Sequence, residues 1–370
     1  MTGLLAGRDL VSAGDLVVAA GRPELDGRHA LETLAAGLEQ AGAALTDVVD
    51  VVSYHRDARE IDAFLELARE YFPNEPPAWT PAASTGLTSS SASVALRAIA
   101  VTGPAAKRCL TGEEGPMTGA CRKGSLLFVA GQSAASGDGT VPAPHDHVAQ
   151  ARVAYARILD LAGQAGATID DALDFASFHH DIRGAEPTFV QVYQREVLGE
   201  IEAANAPTTS HLGMPGLRRA GMLGVYRTLF DLSGGGRVGI TPESIWWKGV
   251  LPISGGVRKR KGTLLVLAGQ VACDAEGRVV ASGDFEGQAR YILDCMREIL
   301  EQAGGTLDEV VEVTSYHKEP RSWEVVARVA REYFRDPDRP AWTVVGASGL
   351  WWEGYLHEIS ALAVLADAAG

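Results

Sequence analysis

Three stretches of this chain repeat one pattern: AGAALTDVVDVVSYHRD from residue 41, AGATIDDALDFASFHHD from residue 165 and AGGTLDEVVEVTSYHKE from residue 303. They align without a gap and begin 124 and 138 residues apart, and a helical pattern of apolar residues precedes each of them. Internal similarity at a long period is the signature of a chain built from copies of one structural unit. The sequence therefore predicts three copies of one unit.

Strands are predicted upstream of each pattern. Apolar runs rich in β-branched residues and closed by a glycine are typical of strands, and they occupy residues 15–22, 125–132 and 263–270.

A second helix is predicted downstream of each pattern. Apolar residues recur near every 3.6 positions in residues 63–72, 189–198 and 325–334, and alternating apolar strands close each copy. The order strand, strand, helix, strand, helix, strand, strand predicts an α+β unit with its helices on one face of a mixed sheet.

Two segments are predicted as boundaries between copies, near residues 106–112 and in the glycine-rich residues 233–243. The predicted domains are residues 1–108, 109–235 and 236–370.

Composition excludes several classes of partner. The 370 residues carry 47 acidic and 33 basic side chains, and the net charge of −14 repels a phosphate backbone, so no nucleic-acid partner is expected. No apolar run reaches the roughly 18 residues that a membrane span needs, so we expect no membrane partner and a cytoplasmic location. The four cysteines are too scattered for a disulfide framework or a paired metal site.

The repeated unit resembles the Rid (YjgF) family of reactive-intermediate deaminases. The third copy carries LAGQ, REYF, RPAWT and HEISALA in the order typical of that family, and the second carries VAGQ followed by VAQARVAYARILDLAGQAGATIDD. The resemblance implies three tandem Rid/chorismate-mutase-like domains that form an intramolecular pseudo-trimer, with a ligand cleft between each pair of neighbours. It implies a small-molecule substrate and no cofactor, and it leaves open whether the monomeric pseudo-trimer associates further.

One family residue is missing. The Rid archetype has an arginine after the Pro-Ala of the fourth segment, where it anchors a substrate carboxylate. Here those positions are Trp79, Thr209 and Trp342. We therefore expect these three residues to contact a substrate that is neutral, cationic or aromatic rather than a small carboxylate; alternatively, the tryptophans fill the joints between copies.

The family's glutamate near the last strand is kept once, as Glu358. The matching positions in the first two copies are Ala95 and Val225. By resemblance, Glu358 positions water or moves a proton, and only a cleft built on the third copy retains it.

A Ser-aromatic-His triplet occurs in the central strand of every copy. Residues i and i+2 of a strand share a face about 7 Å apart, so each serine and histidine can act together, the histidine as an acid-base catalyst and the serine as a substrate or water ligand. The alternative is a structural layer inherited by all three copies. The residues concerned are Ser53, His55, Ser177, His179, Ser315 and His317.

Three further clusters have a simple structural interpretation. The pairs at residues 246–247 and 351–352, all tryptophan, are expected at interfaces between copies. The second copy has extra histidines, which form a metal site only if their side chains converge. They are His145, His147, His179, His180 and His211, with Asp181. Adjacent His179 and His180 face opposite ways in a strand. The basic run at residues 258–261 is expected to be a solvated hairpin tip.

Two functions fit these observations. The first is an enzyme that hydrolyses, tautomerises or cyclises an imine, enamine or related carbonyl-type intermediate, a deaminase-like hydrolase in which Glu358 acts with a histidine of the triplets. The second is a non-catalytic small-molecule-binding or scaffold protein derived from a Rid trimer.

Overall fold

The element order predicted from the sequence occurs three times in the structure, a computed structural model that describes residues 10–112, 117–336 and 340–366. In the first copy the elements are β1 (Leu10–Ala13), β2 (Leu16–Glu24), α1 (Gly27–Gln40), β3 (Val48–His55), α2 (Ile61–Tyr71), β4 (Ala78–Ala83) and β5 (Val94–Val101). Helix α1 begins where the Asp26 side chain accepts a hydrogen bond from the backbone N–H of His29.

The second copy differs in its second helix. Its elements are β6 (Arg108–Thr111), β7 (Thr118–Lys123), β8 (Leu126–Gln132), α3 (His147–Gln164), β9 (Ala172–His179), α4 (Ala185–Pro187), β10 (Thr208–Gly213) and β11 (Gly224–Asp231). The short helix α4 continues as a π-helix over Thr188–Leu198. The predicted helix at 189–198 is therefore present, but its turns are wider than those of an α-helix.

The third copy follows the same order. Its elements are β12 (Arg237–Ile240), β13 (Gly256–Lys259), β14 (Leu264–Gln270), α5 (Phe285–Gln302), β15 (Val310–His317), α6 (Trp323–Tyr333), β16 (Ala341–Gly346) and β17 (His357–Val364). None of the helices in the described ranges is long and apolar enough to cross a membrane.

Strand pairing is the same in each copy. In the first, β2 pairs antiparallel with β5, β5 pairs antiparallel with β3, and β3 pairs parallel with β4. The first two copies share one eleven-stranded sheet, joined by the parallel pair β4 and β7, and the third copy has a sheet of six strands. The fold is thus a mixed one of helices and β-sheets.

The helix-facing side of each sheet forms its own apolar core with the helices of that copy. The opposite sides of the two sheets, with strands from all three copies, meet in shared cores. Tyr54, Phe178 and Tyr316, the aromatic residues of the triplets, meet there with ring centroids 6.2, 6.3 and 6.5 Å apart. Each triplet therefore sends its aromatic ring to the centre and its serine and histidine toward the helices.

One hydrogen bond recurs at each contact between copies. A glycine N–H on β2, β8 or β14 donates to a hydroxyl on β16, β4 or β10 of another copy, respectively. The pairs are Gly21 with Thr343 (2.7 Å), Gly131 with Thr80 (2.8 Å) and Gly269 with Ser210 (3.1 Å). The three copies therefore contact one another in a closed ring.

The basic run at residues 258–261 is only partly solvated. Lys259 is 3% exposed, and its Nζ bonds to Asp171 of the second copy at 2.9 Å. Lys123 reaches Asp47 of the first copy in the same way, at 2.7 Å. The prediction of a fully solvated hairpin tip was wrong for Lys259, because this lysine forms an ion pair between copies.

Candidate functional site

A small cavity of about 70 Å³ lies between the second and third copies. Most of its wall is apolar or aromatic, with a few polar groups. The lining residues are Phe189, Thr209, Ser210, His211, Trp246, Trp247, Leu251, Ile253, Gly269, Val271, Trp351, Tyr355 and Glu358.

Two loops of the third copy supply most of the aromatic wall. The loop at 241–255, between β12 and β13, carries Trp246 and Trp247, and the loop at 347–356, between β16 and β17, carries Trp351 and Tyr355. Trp352 points outward enough to be 38% exposed and stacks on Trp246 with ring centroids 4.8 Å apart. The tryptophan pairs, predicted chiefly as interface residues, therefore also wall a cavity.

Glu358 is the acidic group of the cavity. It lies on β17, is 4% exposed, and its carboxyl forms no hydrogen bond or ion pair with any residue that the structure describes. Burial raises the pKa of this carboxyl to about 8. Glu358 is therefore protonated at neutral pH and can donate a proton.

His211 is the basic group. Its imidazole lies between the rings of Phe189 and Trp351, with centroids at 5.2 and 5.1 Å. Its Nδ1 is 2.7 Å from the Ser177 hydroxyl, whereas its Nε2 is buried without a hydrogen-bond partner. Burial lowers the pKa of His211 to about 4, so the ring is neutral at pH 7 and can accept a proton.

The cavity thus holds an acid and a base whose pKa values have shifted in opposite directions. Pairs of titratable groups separated in this way are typical of acid-base catalytic sites. No arginine or lysine is among the described residues that line the cavity, so it offers no guanidinium or ammonium group to a substrate carboxylate. The arrangement suits proton transfer on an uncharged or aromatic molecule.

The sequence-predicted site residues separate into three groups. Glu358 and Thr209 line the cavity. Ser177 and His179 lie behind its wall, because the Ser177 hydroxyl bonds both His211 and His179, the latter at 2.8 Å. The remaining six pack in the helix-facing cores of the first and third copies: Ser53, His55, Trp79, Ser315, His317 and Trp342.

In those two cores the tryptophan indoles donate hydrogen bonds to the serines of the triplets. Trp79 Nε1 donates to Ser53 Oγ at 3.0 Å, and the same hydroxyl is 2.9 Å from His55 Nε2. Trp342 donates to Ser315 in the same way at 2.8 Å. Trp79 is 3% exposed and packs against two phenylalanines of its own copy. Both indoles therefore satisfy a buried hydroxyl and lie outside the Glu358 cavity.

The histidines of the second copy do not converge on a metal. His179 is buried and His180 exposed, as strand geometry predicted. Across the part of the chain that the structure describes, no group of three or more His, Cys, Asp or Glu side chains has the geometry to hold a metal ion.

The sequence pointed to His211 only as a metal ligand and to the tryptophan pairs chiefly as interface residues, not to a shared small-molecule cavity. His211 occupies the position of Pro81 and Val344 in the other copies, so the repeat pattern gave no reason to choose it. One feature of the sequence does indicate the aromatic wall of the cavity. The second and third repeats start farther apart than the first and second, and part of the added length is the 241–255 loop, which carries Trp246 and Trp247.

Comparison with known proteins gives a family match. A family model described as Endoribonuclease L-PSP matches residues 5–102 and 252–365, more than half of the chain. The RutC family protein YjgH of Escherichia coli (strain K12) is 36% identical over 105 residues, which is 28% of this chain and 77% of that protein. The RutC family protein PH0854 of Pyrococcus horikoshii is 35% identical over 104 residues, 28% of this chain and 81% of that protein.

A solved chorismatase structure matches most of the chain in fold. A crystal structure of a chorismatase aligns with a TM-score of 0.59 over 86% of this chain and 93% of that one, at 15% sequence identity. At this identity the match concerns the fold alone.

Proposed function

Because the chain belongs to the endoribonuclease L-PSP family, the Rid family that its repeats resemble, we propose that it is a small-molecule enzyme that hydrolyses or tautomerises an imine, enamine or related carbonyl-type intermediate. The reaction takes place in the cavity between the second and third copies. The observation that carries this proposal is the presence of a protonated Glu358 and a neutral His211 on the wall of one aromatic cavity.

The proposal includes the division of the chain into three Rid-like domains, residues 1–108, 109–235 and 236–370, arranged as an intramolecular pseudo-trimer. Its support is the threefold recurrence of element order and strand pairing, and the closed ring of glycine-to-hydroxyl hydrogen bonds. Strands β6 and β12 support the two boundaries, since each pairs with the strand that follows it.

In imine hydrolysis the two groups act on opposite ends of the C=N bond. Nε2 of His211 takes a proton from water, whose oxygen forms a bond to the imine carbon. The π electron pair moves to the nitrogen, which takes the proton of Glu358. The carbinolamine then collapses: its hydroxyl proton returns to Glu358, the C–N bond breaks, and the nitrogen takes the proton held by His211. A carbonyl and an amine leave, and both groups regain their starting protonation. In tautomerisation the same acid and base add and remove protons at two atoms of one substrate.

The wall of the cavity favours a substrate with an uncharged or aromatic portion. Trp246, Trp247 and Trp351 offer flat faces, whereas an anionic group meets no cation there. The same features argue against RNA as a substrate, even though the family description names an endoribonuclease, because the net charge of −14 repels a phosphate backbone.

The experiment compares aromatic imines without a carboxylate, such as benzylidene amines, with 2-imino acids. We expect the protein to accelerate hydrolysis of the aromatic imines over buffer, and Glu358→Gln to remove this acceleration by a factor of about 10² or more. Glu353→Gln, the same change at an exposed position of the neighbouring loop, is the matched control and should retain it.

Binding is measured in parallel by tryptophan fluorescence, because three tryptophans line the cavity. If the protein binds the amine product tightly but accelerates hydrolysis of no imine, the enzyme hypothesis is wrong, and the hypothesis of a non-catalytic binding protein remains. Full turnover by Glu358→Gln would remove Glu358 from the mechanism.

A further inference from the structure

Ser177 is the one triplet serine whose hydroxyl joins two imidazoles. Its Oγ lies 2.8 Å from His179 Nε2 and 2.7 Å from His211 Nδ1. All three side chains are buried or nearly so, and the far nitrogen of each ring, His179 Nδ1 and His211 Nε2, has no partner. One of these free nitrogens belongs to a ring that lines the Glu358 cavity.

The other two serines accept from an indole instead. An indole N–H only donates, so Ser53 receives the hydrogen bond of Trp79, and its own proton can be directed to His55 Nε2. In this orientation every proton of the first-copy network has an acceptor.

In the third copy the hydrogen-bond directions are fixed at both ends of the network. Ser322 donates its hydroxyl proton to the carbonyl of Glu319, so it accepts from His317 Nδ1. His317 Nε2 is then left to accept from Ser315, which in turn accepts from Trp342. Each group in this network has one possible orientation, and the histidine has one tautomer.

An imidazole, unlike an indole, carries a donor and an acceptor nitrogen that exchange roles with the tautomer. Two orientations of the second-copy network therefore satisfy the same contacts. In one, His211 Nδ1–H donates to Ser177 and Ser177 donates to His179. In the other, both bonds are reversed.

We propose that Ser177 and His179 form a proton relay that positions and resets His211. The proposal rests on the function assigned above to His211, and it makes Ser177 and His179 positioning residues rather than groups that touch substrate.

The relay conserves charge and atoms. When Nε2 of His211 takes a proton from the cavity, its Nδ1 proton passes to Ser177 Oγ, the Ser177 hydroxyl proton passes to His179 Nε2, and the Nδ1 proton of His179 passes to a water molecule. One proton enters and one leaves, and every ring ends neutral. Reversal of the three transfers restores the first orientation.

The outer end of the relay lies within electrostatic reach of His147, the half-buried first residue of α3. Burial lowers the pKa of His179, and the charges of His211 and His147, when protonated, lower it further. Asp181, Asp146 and His180 lie close enough to act on the charge of His147 in turn. The titratable groups around the relay are thus Glu358 at the cavity end and this cluster at the outer end.

The first test needs no substrate. Nitrogen-15 NMR of histidine-labelled protein reports which ring nitrogen carries the proton. We expect His55 and His317 to show one tautomer each, with two well-separated nitrogen resonances, and His211 to show exchange-averaged resonances. Ser177→Ala should lock or shift the His211 tautomer, whereas Ser53→Ala and Ser315→Ala, the same change in the other copies, should leave the His211 resonances in place.

The second test uses the imine substrates. We expect Ser177→Ala to lower kcat by a factor of about 10² with little change in KM, because Ser177 does not line the cavity. The decrease in kcat should be larger than in Ser53→Ala and Ser315→Ala, compared at equal loss of thermal stability. Ser177→Thr, which keeps a hydroxyl, should recover part of the lost kcat.

The two proposals fail in different ways. A single His211 tautomer that Ser177→Ala does not alter would overturn the relay, whatever the protein catalyses. Absence of imine turnover with an exchanging His211 would overturn the proposed reaction and not the exchange.

Discussion

The carboxyl of Glu358 lies directly over Gly269, so close that any Cβ at position 269 would collide with its Oε1 atom. The same glycine donates its N–H to Ser210 of the second copy. A backbone position without a side chain therefore makes room for the buried acid at the contact between two copies.

Gly269→Ala should displace the acid. We expect a loss of turnover and a lower free energy of unfolding, because the added methyl and the carboxyl cannot both be accommodated. In a Glu358→Ala background the same substitution should cost less, since the colliding oxygen is gone. A double-mutant cycle by urea denaturation measures this coupling; equal costs in both backgrounds would contradict the contact.

The raised pKa of Glu358 links its ionisation to folding. The unfolded chain loses this proton above the ordinary pKa of 4.5, whereas the folded protein keeps it until about pH 8. This group therefore removes stability as pH rises from 4.5 to about 8, by about 1.4 kcal/mol per pH unit. We expect Glu358→Gln to gain stability relative to the natural chain over that window. Denaturation at several pH values tests this, with Glu353→Gln as the control that should show no such trend.

Buried histidines act in the opposite direction. Burial lowers the pKa of His55 and His357 to about 4 and, with the charge of His357, that of His317 to about 3. Each contributes stability that is complete above pH 6.5 and is lost as pH falls toward its folded pKa. His357 has no hydrogen-bond partner at either ring nitrogen and stacks on Phe285. Because His357→Phe removes a group that takes up a proton on unfolding, stability should fall less steeply with decreasing pH in this variant.

Thermal unfolding between pH 4 and 7 measures this change. The same substitution at exposed His145 should leave the pH dependence as it was. A His357→Phe variant that loses stability with acid as steeply as the natural chain would show that this ring does not contribute.

A buried ion network joins the copies at the centre. Arg97 contacts Asp50 at 2.6 Å and Glu312 of the third copy at 3.3 Å, and Arg227 of the second copy contacts the same Asp50 at 2.6 Å. Removal of one partner from a buried pair leaves an uncompensated charge and costs about 3–5 kcal/mol. We expect Arg97→Ala to lose stability on this scale.

The matched control for Arg97 is an exposed pair. Arg152 meets Glu196 at 2.7 Å on the surface, and such pairs contribute about 0–1 kcal/mol. Arg152→Ala should therefore change the free energy of unfolding little, as measured by chemical denaturation. Similar losses in the two variants would contradict the assignment of Arg97 as a buried link between copies.

Much of the fold was predictable because each copy repeats its own local pattern. The runs at 15–22, 125–132 and 263–270 became β2, β8 and β14, and the helices at 63–72 and 325–334 became α2 and α6. Periodicity predicts such elements since the face they bury is written in consecutive residues. The π-helical turns of Thr188–Leu198 have no comparable sequence signal.

The candidate site was predictable only in part. The resemblance to the Rid family singles out Glu358 and Thr209, and both line the cavity. His55, His179 and His317 look equivalent in sequence, yet one hydrogen-bond partner separates them: Ser177 meets an imidazole where Ser53 and Ser315 meet an indole.

Residue identity and spacing along the chain predict the family and three copies of one unit, and the resemblance to that family points to Glu358. The tertiary structure was needed to show that Glu358 and His211 line the same cavity and that Trp246, Trp247 and Trp351 form its wall. The reason is burial, which shifts the pKa values of the Glu358 carboxyl and the His211 imidazole in opposite directions. Burial there is produced by residues more than a hundred positions apart, on copies whose local patterns are nearly the same.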